Sequence, residues 1–174
     1  MKNKKILIIM IAVLILAVGV IWWETRDDTE NNNAGTTLST YTDTENGISF
    51  QYPETLNTEY IKTTDWPPIV QIVDGPFNCT PAGVETERAG ETKSVTINGR
   101  NYCVTKVTEG AAGSTYIQYA YGFQRNGRIP IMAFSLRFPQ CGNYDDPKKT
   151  ECETERANFD IYQIVDQMAN SLNF

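Results

Sequence analysis

The chain has 174 residues, four cysteines, no histidine and a formal net charge of −6 at pH 7. The missing histidine removes Ser-His and Cys-His nucleophiles, and with them the commonest general base and metal ligand. The acidity disfavours nucleic acid, whose phosphates it repels, and gives no basic patch for an anionic leaflet.

In chain order, Lys2, Lys4 and Lys5 precede an uncharged apolar run from Ile6 to Trp23, 18 residues long. As a helix it would measure about 27 Å at about 1.5 Å per residue, near the ~30 Å hydrocarbon core of a bilayer. The lysines favour a cytoplasmic amino terminus, and Trp22 and Trp23 stand where indole rings suit the headgroups. The run reads as an uncleaved, single-pass signal anchor in the cell membrane, with residues 1–5 as a cytoplasmic tail. Secretion after signal cleavage is the alternative, with Ala17 and Gly19 as the small-residue pair. Cleavage there would leave Val20, Ile21, Trp22 and Trp23 as an apolar new terminus, which argues against it. Both topologies export the remainder, where 12 Lys+Arg face 21 Asp+Glu. Residues 24–38 are polar, without apolar periodicity, and read as a flexible linker with nothing to bury against the entropy of ordering. Residues 39–174 have the size of one extracytoplasmic domain.

Within the domain, Ile48, Phe50 and Tyr52 alternate with polar residues, and Pro53 stops the strand. Glu59–Lys62 and Ile69–Val73 are short strand candidates, with Trp66-Pro67-Pro68 between them as a rigid, exposed connector. Val84–Gly90 fits a short helix or a solvated loop. Asn98-Gly99 and Asn126-Gly127 lie between alternating runs and predict two hairpins, because Asn-Gly suits turns with positive φ at both central residues. Met132, Phe134, Leu136 and Phe138 share one face of the last strand, which Pro139 ends. Ile161, Val165, Met168 and Leu172 then recur at helical spacing, with Asp160 and Gln163 three residues on resembling a capping box and Asn158 as an alternative cap. A helix must cover the apolar sheet face, so the fold class is α+β: a mostly antiparallel sheet packed by helices.

Four cysteines in an exported domain read as two disulfides, and their spacing contains no Cys-x-x-Cys zinc knuckle. Of three connectivities, Cys79–Cys103 and Cys141–Cys152 are preferred. The second closes a short polar loop, and the first ties the Pro76–Pro81 loop to a strand.

The segment Tyr41-Thr-Asp-Thr-Glu-Asn-Gly47-Ile-Ser-Phe50-Gln-Tyr52-Pro53 resembles the opening of PsbP-like domains. The closing helix followed by Ser171-Leu172-Asn173-Phe174 resembles their end. The Cys141–Pro147 segment is similar to that of membrane-anchored bacterial chains with four cysteines. The resemblance implies an α-β-α sandwich and non-catalytic accessory or binding roles. It transfers no partner, since fold does not fix function.

No catalytic motif and no cofactor site is recognisable. Glu85, Glu87 and Glu91, and Glu151, Glu153 and Glu155, form two carboxylate groups that read as solvated surface. Asn143, Asp145 and Asp146 are weak calcium candidates, but turn chemistry explains them equally well. The glycine-rich Glu109–Ser114 reads as a hairpin loop. Trp66, Tyr119 and Tyr121 are the candidates for partner binding, the alternative being that they pack the sheet. The leading expectation is a non-catalytic module contacting another envelope protein. Capture of a glycan, peptide or cation, and less strongly a carboxylate-dependent hydrolase, are the rivals.

Overall fold

The computed structural model of the chain describes residues 37–80 and 90–174. The expected tail, anchor and most of the linker lie outside the described residues, as does Val84–Gly90 except for Gly90. Among the described residues no helix is long and apolar enough to cross a membrane.

Strands β1 (Leu38–Asp43) and β2 (Ile48–Pro53) pair as an antiparallel hairpin, with Leu38 opposite Pro53. The ladder therefore starts at the residue where the polar linker was expected to end. In the turn, the Asp43 carboxylate accepts from the backbone N–H groups of Glu45 and Asn46 and from the Asn46 side chain. Hydrogen bonding, chiefly from the Asn46 side chain, holds the Asp43 carboxyl below its ordinary range. Gly47 closes the turn at φ +68, a conformation most side chains avoid.

Five further strands form the main sheet: β3 (Lys62–Asp74), β4 (Glu91–Ile97), β5 (Arg100–Ala111), β6 (Ser114–Phe123) and β7 (Arg128–Pro139). Their order is β3-β7-β6-β5-β4, and every neighbouring pair is antiparallel. Both Asn-Gly turns have positive φ at each central residue, as their sequence predicts. A third tight turn, Ala112-Gly113, joins β5 to β6 with the same signs of φ. The glycine-rich segment is thus mostly strand, running to Ala111.

Two helices close the chain, α1 (Lys148–Asn158) and α2 (Ile161–Ser171). Asp160 caps α2 by accepting from the Tyr162 backbone N–H at 2.8 Å, which satisfies one orphan donor. Gln163 does not complete a capping box, because its side-chain oxygen accepts from Asn98 instead. The buried stripe Ile161, Val165, Met168, Ala169 and Leu172 meets Phe50 of β2 and the sheet residues Tyr102, Val104, Tyr121, Met132, Phe134 and Leu136 in one core. Backbone bonds between Ser49 and Asn173, at 2.8 and 3.0 Å, tie the chain end to β2.

Two expectations need correcting. Trp66-Pro67-Pro68 is no exposed connector but lies inside β3, where Asp65 faces Ser135 and Ile69 already faces Ala133. The prolines sit in that register shift on an edge strand, where missing donors are tolerated. Glu59–Ile61 is not strand. Its backbone N–H groups instead converge on the Glu155 carboxylate, while Tyr60 donates its hydroxyl to Glu151 at 2.8 Å. Burial and that bond push the Tyr60 phenol up to about 12. Two of the expected solvated glutamates therefore clamp a loop onto α1.

Both preferred disulfides are formed, Cys79–Cys103 and Cys141–Cys152. The second ties the turn after β7 to α1 and packs with Tyr60 and Tyr144 as a small satellite core. Breaking it with the Cys141→Ala/Cys152→Ala pair should cost about 2–3 kcal/mol, from the loop-entropy relation for a closed loop of this size. Thermal melting reads this directly, and an unchanged midpoint would remove the structural role.

Candidate functional site

The sheet has two unlike faces. The first is the core face just described. On the second, antiparallel register aligns Ile69, Ala133, Ala120, Thr105 and Thr92 in one row across all five strands. A neighbouring row holds Asp65, Ser135, Gln118 and Val107, and another holds Gln71, Ile131, Gly122, Cys103 and Ser94. Residues directly opposite one another project to the same side, so these rows form one surface. Among the described residues no helix packs on it, but the Cys79–Cys103 disulfide anchors the connection between β3 and β4 to this face, and Gly90 lies against Thr105 and Val107. Ile69 keeps 62% of its surface exposed there and Val73 42%. An α-β-α sandwich needs a helix on this side, and the described residues supply none.

Small side chains in the Ala133-Ala120-Thr105 row leave a shallow trough of about 400 Å³. Ile69 and Val107 wall it, and Asp65, Ser135 and Gln118 bring oxygens and an amide to one end. Small residues flanked by β-branched ones produce this shape, beside the register shift that separates Asp65 from Ile69 in β3. A trough of this volume lies at the lower end of ligand-site sizes and accepts one or two protruding side chains of a protein partner.

The buried Asp166 is the constellation most like catalytic machinery. It sits on α2 and accepts from the Tyr102 hydroxyl at 2.6 Å, from Asn98 at 3.0 Å and from Asn170 at 3.2 Å, with Arg100 at 3.3 Å. Burial raises its carboxyl, but these hydrogen bonds and the Arg100 charge outweigh it and hold the group below its ordinary range. Arg100 is itself held by Asn170 at 2.7 Å. Asp166 is 4% exposed and Tyr102 fully buried, so no substrate reaches them. The cluster latches α2 to the β4–β5 turn.

The sequence-predicted residues fall as follows. Tyr119 and Tyr121 do share a face, but it is the core face, where they stack at 6.0 Å and each stacks on Phe134. Burial pushes both phenols up, that of Tyr119 to about 12. The Tyr121 hydroxyl has no hydrogen-bond partner among the described residues. Trp66 is half-buried against Phe134 and Tyr52 and donates its indole N–H to Pro53 at 2.7 Å. These three aromatics hold the domain together and do not form a surface patch.

Asn143 reaches the Gly113 carbonyl, and Asp146 accepts from Thr150 in the first turn of α1. The Asp145 carbonyl accepts from the Lys149 backbone N–H. Among the described residues no group of three His, Cys, Asp or Glu side chains could hold a metal ion. Glu85 and Glu87 lie outside the described residues, and Glu91 opens β4. None of four depressions among the described residues is lined by two carboxylates.

The trough residues escaped sequence reasoning, since Ala120, Ala133, Thr105 and Gln118 carry no motif. The available signal was the alternation in β7, where Ala133, Ser135 and Arg137 share the face opposite Phe134 and Leu136. Comparison with protein-family models, with curated proteins and with solved structures finds no match to this chain.

Proposed function

We propose that this chain is a non-catalytic binding module that docks another envelope protein on the open face of its five-stranded sheet. It works on the extracytoplasmic side of a membrane, tethered through residues 6–23. The observation that carries the reading is the part of this face that the described residues leave uncovered, where the exposed Ile69 borders a trough of small residues. Large exposed apolar side chains beside a complementary hollow are the anatomy of a protein-docking surface. Two disulfides support an oxidising compartment, and the lysine-flanked apolar run supports the tether. A PsbP-like ancestry is proposed on the Tyr41–Pro53 and Ser171–Phe174 segments. It draws support from the inward Ile48 and Phe50 and from the Ser49–Asn173 bridge. It does not include a second helical layer.

Cross-linking in intact host cells, followed by mass spectrometry of what co-purifies, tests the docking face. Ala120→Arg fills the trough from its centre while leaving the core face untouched. A partner captured by the wild type should be lost with Ala120→Arg and kept with Lys148→Ala on exposed α1. Equal capture by Ala120→Arg would remove the face from the account. The convergence of Asp65, Ser135 and Gln118 favours small-ligand capture as the second reading. In that case soluble ligand binding, and not the cross-link, would fail in Ala120→Arg.

A further inference from the structure

Sheet edges expose unpaired backbone groups, and folded proteins blunt them with charge, proline, bulges or short strands. The main sheet has two edges, β3 and β4. Strand β4 is seven residues long and carries Glu91 and Lys93. The first half of β3 carries Lys62, Asp65, Pro67, Pro68 and the register shift. The second half, Ile69-Val70-Gln71-Ile72-Val73, has none of these devices and pairs with β7 in unbroken register. It is the unguarded run on the edges of the main sheet.

The space beside this edge is open. A depression of about 420 Å³ is lined by Val70, Gln71, Ile72 and Val73 together with Arg128 and with Asn46 and Ile48 of the β1–β2 hairpin. Consecutive strand residues point to opposite faces, so a hollow touching all four runs along the edge. No described residue makes a backbone hydrogen bond to these five except through β7.

The run is also self-complementary about Gln71. Laid antiparallel against an identical strand with Gln71 at a two-fold axis, Ile69 faces Val73 of the second copy and Val70 faces Ile72. Each such pair is β-branched on both sides, which suits cross-strand packing. The exposure of Ile69 and Val73, two of the three large apolar side chains left exposed among the described residues, is thereby relieved. The pairing has natural ends. Pro68 offers no donor, and Asp74 at the other end is held by Arg128 at 2.8 Å. We propose that two copies of this chain associate through antiparallel pairing of Ile69–Val73, joining their five-stranded sheets edge to edge across a two-fold axis at Gln71. Isologous two-fold contacts are the commonest route to a homodimer. The dimer sets two open faces side by side.

The test uses the full chain in a density-matched detergent and sedimentation equilibrium over a wide concentration range. The wild type should show a concentration-dependent dimer. Gln71→Lys and Gln71→Glu each place like charges opposite one another and should weaken it by about tenfold or more. Both substitutions fall on an exposed side chain, and unchanged thermal melting confirms an intact fold. Mixing the Gln71→Lys and Gln71→Glu chains should restore association, because unlike charges then meet at the axis. Thr96→Lys, near the opposite edge, should leave the dimer unchanged. A wild type that stays monomeric throughout overturns the proposal. So does a dimer indifferent to Gln71→Lys, or one that the mixture fails to restore.

Discussion

Replacing Trp66 with alanine should lower the unfolding free energy by about 3 kcal/mol, the lower end of the range for truncating a large packed aromatic. The indole does three things at once. Its edge meets Phe134 at 5.6 Å on the main sheet and Tyr52 at 6.3 Å on the small one. Its N–H donates to the Pro53 carbonyl at the end of β2. Trp66 is therefore the side chain that links the β1–β2 hairpin to β3 and β7. Truncation removes both ring contacts and leaves the Pro53 carbonyl without its donor, a second cost of ~1 kcal/mol or more if water does not replace it. Urea unfolding monitored by circular dichroism measures the loss, with Trp66→Phe separating ring packing from the hydrogen bond. An exposed-loop tryptophan would shift stability by less than ~0.5 kcal/mol, as surface substitutions do. A change that small would place the ring outside the core.

The elements whose signals are local were legible in the sequence. Asn98-Gly99 and Asn126-Gly127 specify their hairpins because few residue pairs accept positive φ twice. Helix α2 shows its apolar stripe at helical spacing, and the stripe is buried as written. Strand β7 ends at Pro139, which has no N–H to donate to a further ladder bond. Helix α1 was invisible for the converse reason: of its eleven residues only Cys152 is buried, so no apolar period exists to read. Its Glu151 and Glu155 turn toward a segment ninety-odd residues earlier, whose Tyr60 hydroxyl and backbone N–H groups need acceptors, a tertiary fact. Trp66-Pro67-Pro68 misled because proline argues against a strand locally, whereas an edge position with a register shift accommodates it. Periodicity put Tyr119 and Tyr121 on one face but could not say which face the helix would cover. The trough was illegible for the same reason, since its alanines and threonines acquire meaning only once five strands align them.

Asp166→Ala should cost about 3 kcal/mol at neutral pH, which for a domain of this size lowers the melting midpoint by about 10 °C. The carboxylate is the common acceptor for Tyr102, Asn98, Asn170 and Arg100, so its removal strands several donors, one of them on a fully buried tyrosine. Leaving a buried donor unpaired costs its desolvation, which exceeds the net worth of the bond that was made. The pH dependence carries a definite sign. The folded carboxyl is held below its ordinary value of 3.8. Its stabilisation is therefore fully present above that value and is lost as pH falls through the lower folded value. Other carboxylates titrate in the same window, so the wild type alone does not isolate this one. The difference between wild type and Asp166→Asn does, because asparagine keeps the shape and one acceptor but cannot ionise. That difference should be largest at neutral pH and shrink as pH falls well below 4, in paired urea titrations of the two proteins. A difference that stays constant with pH would mean that the charge on Asp166 contributes nothing. The latch between α2 and the β4–β5 turn would then rest on shape and neutral hydrogen bonds, with Arg100 held by Asn170 and the Tyr102 hydroxyl.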